Sequence, residues 1–332
     1  MPDVTVIIIA YNPYMKVFRR CLKAAAAMDR DPLEVEYLLI DNNSQPGLST
    51  YKEVQEFLAV CPNSRVIVEK RQGSGYALLC GFANSQAPVI VTFGDDNEPE
   101  SSYLLQAKEL MDKYPQTGVF GPGIVKVDYL EGAPAYFEKF RYVFQETSTE
   151  EEKVTNSRYP DNYYPYGTGM VVRKEVAMDY YRKVEEGIFT SMGRIGKVLT
   201  SCEDLQLVWN CIRNLQLSVG RSPGLKLNHL INAKKANFTY WKKLSYGGGF
   251  SWLPARFEVF PEEISSVRNT GGEVRKSCLR IAKVFVFNFY KPRFFLISVA
   301  SQAGILDSIY YINKKKTPFY LNWVRTLLGL GK

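Results

Sequence analysis

An α/β fold with a mostly parallel sheet is predicted by three features of this chain. Short β-branched apolar runs alternate with helix-length segments through the first half. The runs are almost continuously apolar, the pattern of strands covered on both faces. Each of three runs ends in a polar cluster: Tyr11-Asn12, Asp41-Asn42-Asn43 and Asp95-Asp96-Asn97. In parallel sheets ligands bind outside the carboxyl ends of the strands, so convergence of these clusters at one edge predicts a site.

Taken in order, Val4–Ala10 is the first strand and Tyr14–Met28 a helix. Glu36–Ile40 is the second strand, Ser49–Val60 a helix, Arg65–Glu69 the third strand, Gly75–Ser85 a helix and Val89–Phe93 the fourth strand. After residue 115 the pattern is less regular. Gly118–Gly121 and Ile124–Val127 read as separate short strands, and Gly169–Arg173 as a strand before a helix at Lys174–Glu185. Ser201 is a good N-cap for a helix reaching about Asn214, with Asp204 three residues on in a capping-box arrangement. Leu225–Leu230 is a further strand and carries His229, the only histidine.

The fourth strand delivers the most informative segment, V-T-F-G-D-D-N-E-P at Val91–Pro99. Two adjacent carboxylates at a strand end repel each other unless a cation or a donor lies between them. A divalent metal with oxygen ligands meets that need and commonly holds phosphates. The same acids also suit a helix start, where they cap and complement the dipole.

Composition narrows the class. The 332 residues are 46% apolar with a mean hydropathy of −0.19, which is a folded chain and not a disordered one. Net charge is +8 and the pI about 9.0. Such a balance suits nucleic acid, an anionic membrane surface or phosphate-bearing substrates. The basic residues form short clusters in the C-terminal third, at Lys234-Lys235, Lys242-Lys243 and Lys314–Lys316. With no long basic block, the expectation is a C-terminal surface contact and no nucleic-acid partner. Six scattered cysteines without a C-x-x-C pair indicate neither a zinc ribbon nor a redox dithiol, and reduced thiols fit the cytoplasm. The start, M-P-D-V-T-V-I-I-I-A, reads as a strand and not as a signal peptide.

Two nucleotide-binding signatures are excluded. Gly73-Ser74-Gly75 opens like G-x-G-x-x-G, but Leu78 holds the third glycine position and the segment follows the third strand. There is no G-x-x-x-x-G-K-[ST]. Beyond Arg275 the chain is apolar and aromatic with basic flanks. Its longest uncharged run, Phe294–Leu306, has thirteen residues and is too short to span a bilayer as a helix. An interfacial segment with Lys291, Arg293 and Lys314–Lys316 at lipid headgroups, or a helical subdomain packed on the core, both fit it.

Five segments in order, V-I-I-I-A-Y-N-P, L-L-I-D-N-N-S, V-T-F-G-D-D-N-E-P, G-T-G-M-V-V-R and S-C-E-D-L-Q-L, resemble the family 2 inverting glycosyltransferases with the GT-A fold. The resemblance covers Val4–Phe250. It implies a GT-A catalytic domain over residues 1–250, divided into a nucleotide-binding half (1–115) and an acceptor-binding half (116–250), and a C-terminal helical extension over 251–332. It implies that a nucleotide-diphospho-sugar lies across the strand ends, with the base at Ala10, Tyr11 and Asn12. Asp41 would pair with the base, since a uracil or thymine imide N–H is a donor that a carboxylate accepts. Gly75 and Asp95 join this nucleotide-binding set.

The D-x-D element of the family implies a metal, Mg²⁺ or Mn²⁺, at Asp96, with Asp95 and His229 as further ligands. When Glu98-Pro99 is aligned, however, the first acid of that element falls on Gly94. Asp95 then replaces it, or meets the sugar or ribose instead. The E-D pair implies Asp204 as catalytic base and Glu203 as the residue that holds the acceptor. Asn97, Gly167 and Thr168 are placed at the donor or acceptor sugar. The lysines and Trp241 after His229 suit a loop closing over the diphosphate, with Gly247-Gly248-Gly249 giving it freedom to move. The aromatic run Tyr159–Tyr166 suits either a sugar platform or packing.

The activity implied is transfer of a sugar from a UDP- or dTDP-sugar to a glycan or lipid-linked saccharide in cell-surface polysaccharide synthesis. The basic, aromatic C-terminal third, and not the resemblance, suggests a peripheral setting at the cytoplasmic face of an anionic membrane. A sugar-1-phosphate nucleotidylyltransferase and a non-catalytic subunit are the alternatives. The first would want a glycine- and basic-rich loop where this chain has Tyr11-Asn12-Pro13; Gly94 favours the second.

Overall fold

β1 (Val4–Ala10) is buried along nearly its whole length, and its alternate residues serve two faces. Val4, Val6 and Ile8 join one apolar cluster with Val17 and Phe18 of α1 (Met15–Ala26). Ile7 points the other way, against Gly81 of α3 (Ser74–Asn84), where a Cβ would come within 2.7 Å of the Ile7 side chain. Burial on both faces is why the run is β-branched and apolar throughout, and each such side chain contributes roughly 1.5–3 kcal/mol. α1 buries Val17, Phe18, Cys21, Leu22 and Ala25, a one-faced 3.6-residue pattern.

The computed structural model describes residues 1–190, 193–194 and 199–330. They form two compact units, Met1–Gly187 with Leu207–Ala233, and Ile188–Gln206 with Lys234–Lys332.

In the first unit β2 (Val35–Asp41), α2 (Lys52–Val60), β3 (Ser64–Val68), α3 and β4 (Val89–Gly94) follow β1 and α1. Strands β3, β2, β1 and β4 are adjacent and parallel, so their carboxyl ends share one edge. A short β5 (Asn97–Pro99) and α4 (Tyr103–Lys113) come next. β6 (Thr117–Tyr129) is one strand of 13 residues, not the two short strands expected. Gly118, Gly121 and Gly123 do not interrupt it. Each sits where neighbouring side chains or backbone fill the space of a Cβ. β7 (Thr147–Ser148) and β8 (Lys153–Thr155) are short, and β9 (Met170–Arg173) leads into α5 (Lys174–Glu185).

α6 (Glu203–Asn214) precedes β10 (Ser218–Ile231), of which Leu225–Leu230 is only the second half. Among the described residues the strands make one ten-stranded sheet. It is parallel through β4 and then mixed: β9 is antiparallel to β4 and β6, β10 is parallel to β6, and β5 returns antiparallel on β10.

The second unit is helical beyond β10. α7 (Phe238–Val259), α8 (Thr270–Asn288), α9 (Pro292–Ile312) and α10 (Phe319–Leu327) carry it. Residue 250, the expected domain boundary, lies inside the continuous α7. Gly247, Gly248 and Gly249 are helical too, and do not form a mobile loop. A Cβ on Gly247 would strike the Leu199 carbonyl, and one on Gly249 would come within 2.5 Å of the Ser301 carbonyl. Gly304 of α9 meets the Tyr246 carbonyl in the same way. These glycines therefore serve the close crossing of α7 and α9.

α9 extends the thirteen-residue apolar run to a helix of 21 residues. By length and composition it is sufficient to cross a membrane, and 44% of its most apolar window is buried within the chain. Its Asp307 is buried, accepts the Tyr246 hydroxyl at 2.7 Å and lies 3.5 Å from Arg325. Its Oδ2 takes both contacts, while Oδ1 is buried without a hydrogen-bond partner.

Ser201 is not the N-cap. α6 starts at Glu203, preceded by Cys202 at φ 86°, and the Ser201 N–H donates to Ser251 Oγ at 3.1 Å.

Candidate active site

Two left-handed asparagines shape the edge where β1 and β2 end. Asn12 (φ 44°) and Asn43 (φ 63°) turn the chain, a conformation asparagine tolerates better than most side chains. Asn12 N donates to Ser44 Oγ at 3.0 Å, and Asn12 Oδ1 accepts the Gln45 N–H at 2.8 Å. Asp41 is buried, and each of its oxygens accepts a backbone N–H at 2.8 Å, from Ser44 and from Leu48. Its carboxylate thus folds the loop on which Asn12 rests. Ala10 is buried at the strand end, and Tyr11 is 43% exposed beside it.

Asn42 carries more structure than the sequence suggests. Its Oδ1 accepts the Gly73 N–H at 2.8 Å and its Nδ2 donates to the Arg71 carbonyl at 2.8 Å. This ties the end of β2 to the start of α3, where Gly73 (φ 145°) makes the turn and Gly75 is buried in the first helical turn. No local pattern announces that role, because Asn42 and Gly73 lie 31 residues apart.

At the end of β4, Gly94 N donates to Asn97 Oδ1 at 2.9 Å, and Asn97 Nδ2 donates to Asp96 Oδ1 at 3.1 Å. Asn97 is 2% exposed, so its amide aims Asp96 and does not present itself to a sugar. The Asp96 carbonyl accepts Leu230 N at 2.8 Å, and Asn97 stands opposite His229 in the β5–β10 pair. The result is an imidazole facing a carboxylate, with His229 Nε2 3.4 Å from Asp96 Oδ2.

The Phe144 carbonyl lies 2.8 Å from His229 Nδ1. A carbonyl can only accept, so this contact assigns the proton of the neutral ring to Nδ1 and turns the Nε2 lone pair toward Asp96. Two electron-pair donors then face one position, and a proton or a cation satisfies both. The donor set, one carboxylate oxygen and one imidazole nitrogen, fits a divalent ion such as Mn²⁺. Among the described residues no group of three His, Cys, Asp or Glu side chains converges, so Asp95 does not complete a set with these two. Asp95 accepts the buried Cys21 thiol on its backbone carbonyl at 3.2 Å. Burial, reinforced by Asp96 and Asp95, pushes that thiol well above its ordinary range, which keeps it protonated and inert.

Gly94 has a geometric reason. A Cβ there would lie 2.9 Å from Asp96 Oδ1. The space a side chain at this position would use is taken by the Asp96 carboxylate itself.

A clamp behind the turn holds β5 in place. Arg20 Nε and Nη2 bind the two oxygens of Glu98 at 2.8 and 2.7 Å, and Arg20 Nη1 reaches Asp128 at 3.1 Å. Asn228 Nδ2 adds a bond to Glu98 at 3.0 Å. The Arg20 guanidinium holds the Glu98 carboxyl below its ordinary value, against some desolvation. Sequence reading missed Arg20, Glu98 and Asn228 because three distant segments supply them.

Gly167 and Thr168 are half-buried and precede β9. Met170 pairs with Thr92, so both residues leave the sheet at the end where Gly94 and Asp95 lie. Gly169 (φ 68°) packs where a Cβ would strike Tyr103 and Leu227. In the aromatic run, Tyr164 is buried with its hydroxyl on the Ser157 carbonyl, and Arg221 lies 3.7 Å over the Tyr166 ring. Those two rings are packing, while Tyr159 is 64% exposed.

Glu203 and Asp204 belong to the second unit and open α6, where their charge suits the helix N-terminus. Asp204 Oδ1 accepts the Leu205 N–H at 2.8 Å. In the same unit Trp241 is buried and Lys242 donates to the Leu328 carbonyl at 2.7 Å, so neither belongs to a loose lid.

A parallel sheet that continues as a mixed one, with polar groups gathered at the carboxyl ends of its strands, is the fold of a GT-A nucleotide-sugar transferase. The sequence profile of glycosyl transferase family 2 matches residues 5–181, more than half of the chain, and the protein belongs to that family. It is a glycosyltransferase, which displaces the nucleotidylyltransferase alternative. The match includes Asp41, Asp95 and Asp96 and stops short of Glu203, Asp204 and His229. No curated protein sequence matches the chain.

Among solved structures, GalNAc-T7 with UDP, GalNAc and Mn2+ is similar in fold. It has a TM-score of 0.50 at 11% identity over 77% of this chain and 49% of its own. S. aureus TarS 1-349 aligns with a TM-score of 0.48 at 14% identity over 94% of this chain and 90% of that one. Its UDP complex gives 0.49. The chain thus spans about half the length of GalNAc-T7.

Proposed function

We propose that the protein transfers one sugar, with inversion, from a UDP- or dTDP-sugar to a glycan or lipid-linked saccharide. The observation that carries this reading is the Asp96–His229 pair at the carboxyl edge of the sheet in a family 2 chain. Asp96 and His229 would hold a divalent ion, Mg²⁺ or Mn²⁺, which when bound neutralises charge growing on the leaving diphosphate. GalNAc-T7, a protein of similar fold, was solved with UDP and Mn2+.

The chain's own residues do the rest. Ala10, Tyr11 and Asn12 with Asp41 receive the base, and Gly75 and Asp95 border the nucleotide. Gly167 and Thr168 border the sugar. Asp204 takes the proton of the acceptor hydroxyl as its oxygen attacks the anomeric carbon. The bond from that carbon to the diphosphate oxygen breaks, and the nucleoside diphosphate leaves with the electron pair. A carboxylate is a weak base toward an alcohol, so the proton moves during attack and not before it. Glu203 orients the acceptor. The basic, aromatic C-terminal third supports an acceptor presented at the cytoplasmic face of a membrane, as cell-surface polysaccharide synthesis requires.

The test is product analysis with a panel of UDP-, dTDP- and GDP-sugars and Mg²⁺ or Mn²⁺, preceded by a thermal-shift screen of the same ligands. Release of nucleoside diphosphate with sugar transfer supports the reading. Absence of turnover with every donor, metal and acceptor sinks it in favour of a non-catalytic subunit. Asp204→Asn should abolish transfer and keep the donor-induced thermal shift; full activity in that variant removes Asp204 as base.

A further inference from the structure

The second unit leaves an apolar surface uncovered where a folded chain would normally bury it. From Cys278 onward every side chain of α8 is half-buried or exposed. Leu279, Phe285, Val286 and Phe287 are 54–66% exposed, and Phe289 and Tyr290, in the turn to α9, are 68% and 63% exposed. A helix end that is apolar all round belongs in an apolar medium. On α10, Phe319, Trp323 and Leu327, spaced one turn apart, make a second exposed stripe at 83%, 57% and 64%.

Charge identifies the medium. Residues 270–332 contain eleven Lys and Arg against two acids, Glu273 and Asp307. This segment alone carries +9, and the preceding 269 residues sum to −1. Glu273 is paired with Lys276 and Asp307 lies 3.5 Å from Arg325, so neither acid offsets Arg280, Lys283 or Lys291. Arg280 and Lys283 interrupt the exposed face of α8, and Lys291 stands 4.9 Å over the Tyr290 ring. Exposed aromatic rings beside lysine and arginine match the boundary between acyl chains and anionic headgroups. A second copy of the chain would bring two strongly basic faces together, which disfavours it.

We infer that the α8–α9 turn, with Phe285, Phe287, Phe289 and Tyr290 as its inserted rings and Arg280, Lys283 and Lys291 as its headgroup contacts, docks the enzyme on an anionic lipid bilayer. The docking rests, for its purpose, on the membrane-presented acceptor proposed above. It brings the enzyme to a two-dimensional pool of acceptor and leaves the strand-edge site unchanged.

Vesicle sedimentation of the full chain tests it, with phosphatidylglycerol–phosphatidylcholine vesicles against phosphatidylcholine alone, at low and high salt. Wild type should pellet with the anionic vesicles, and salt should weaken the binding. The triple variant Phe285→Ser/Phe287→Ser/Phe289→Ser should bind roughly tenfold more weakly or worse with an unchanged Tm, as expected for removing exposed rings. The pair Arg280→Glu/Lys283→Glu should lose binding at low salt, and it tests the surface independently of the rings. Donor turnover measured in solution on the same proteins separates the two readings, because docking variants should retain it. Wild type remaining in the supernatant, or variants that pellet like wild type, overturns the inference. So does a wild-type dimer that the ring variant converts to monomer.

Discussion

At the amino ends of the parallel strands, the fully buried Glu36 carboxylate receives the Thr5 hydroxyl at 2.7 Å, Arg65 at 2.8 Å and the Gln86 N–H at 3.0 Å. Thr5 in turn accepts the Ala87 N–H at 3.1 Å. At the carboxyl ends of the same sheet, the Asp96 carboxylate meets an imidazole whose proton is held on the far side by Phe144. The first acid is surrounded by donors and closes one edge of the sheet. The second accepts the Asn97 amide on one oxygen and meets the His229 ring at the other, the pair proposed above to hold a cation. Similar residue types at the two ends of one sheet therefore do opposite work, and the difference lies in what each carboxylate is given to bind. Stability is concentrated at one edge, and the chemistry proposed above lies at the other.

The sharpest way to break this contrast is Asp96→Asn. It should cut sugar transfer by about 10²–10³-fold, the usual effect of removing one preorganised electrostatic group, and shift Tm little. Activity within a few-fold of wild type, measured as nucleoside diphosphate release, would make the carboxyl edge structural like the other. The mirror experiment is Glu36→Ala. It leaves buried donors without an acceptor and should cost about 3 kcal/mol in urea unfolding while kcat/KM stays put.

Gly94→Ala probes the space beside Asp96. Its new Cβ would push on Asp96 Oδ1, a movable side-chain end, so the fold should hold. Mn²⁺-dependent stabilisation should weaken by roughly tenfold in ion concentration, as is usual when a ligand loses its orientation. An unchanged response to Mn²⁺ would place the ion elsewhere.

The smallest effect concerns acid. Glu98 has a folded-state value held below its ordinary one by Arg20, so its contribution is present above about pH 4.3 and fades as pH falls through the lowered value. Urea midpoints of wild type should therefore fall between about pH 5 and pH 3 more steeply than those of Glu98→Gln. Equal slopes would show that the clamp is electrostatically silent.

Legibility differed along the chain. The strand expected at Val4–Ala10 forms with those bounds, β2 and β3 differ from expectation by one residue at each end, and β4 runs one residue further. These are buried on both faces or half-buried, so burial and composition speak within a short window. The glycines of α7 were misread because Gly-Gly-Gly signals freedom by itself. Only the carbonyls of Leu199 and Ser301 on the facing segments show that it signals contact. The Ser201 cap failed for a related reason: a hydroxyl before two acids is a cap by pattern, yet Cys202 takes the left-handed turn and the helix starts one residue late.

By itself the sequence determined where the first four strands and three helices lie and that polar groups end those strands, because periodicity and burial are encoded within a few neighbouring residues. It also determined the basic, aromatic character of the last sixty residues. Only the tertiary structure decided that His229 is the partner of Asp96, that Arg20 and Asn228 hold Glu98, and that Asn97 is spent inside the turn. Those pairs join residues as much as 133 positions apart (Asp96 and His229), through the antiparallel return of β5 on β10. A cross-strand register is set by the order in which the whole sheet packs, and no local window contains it.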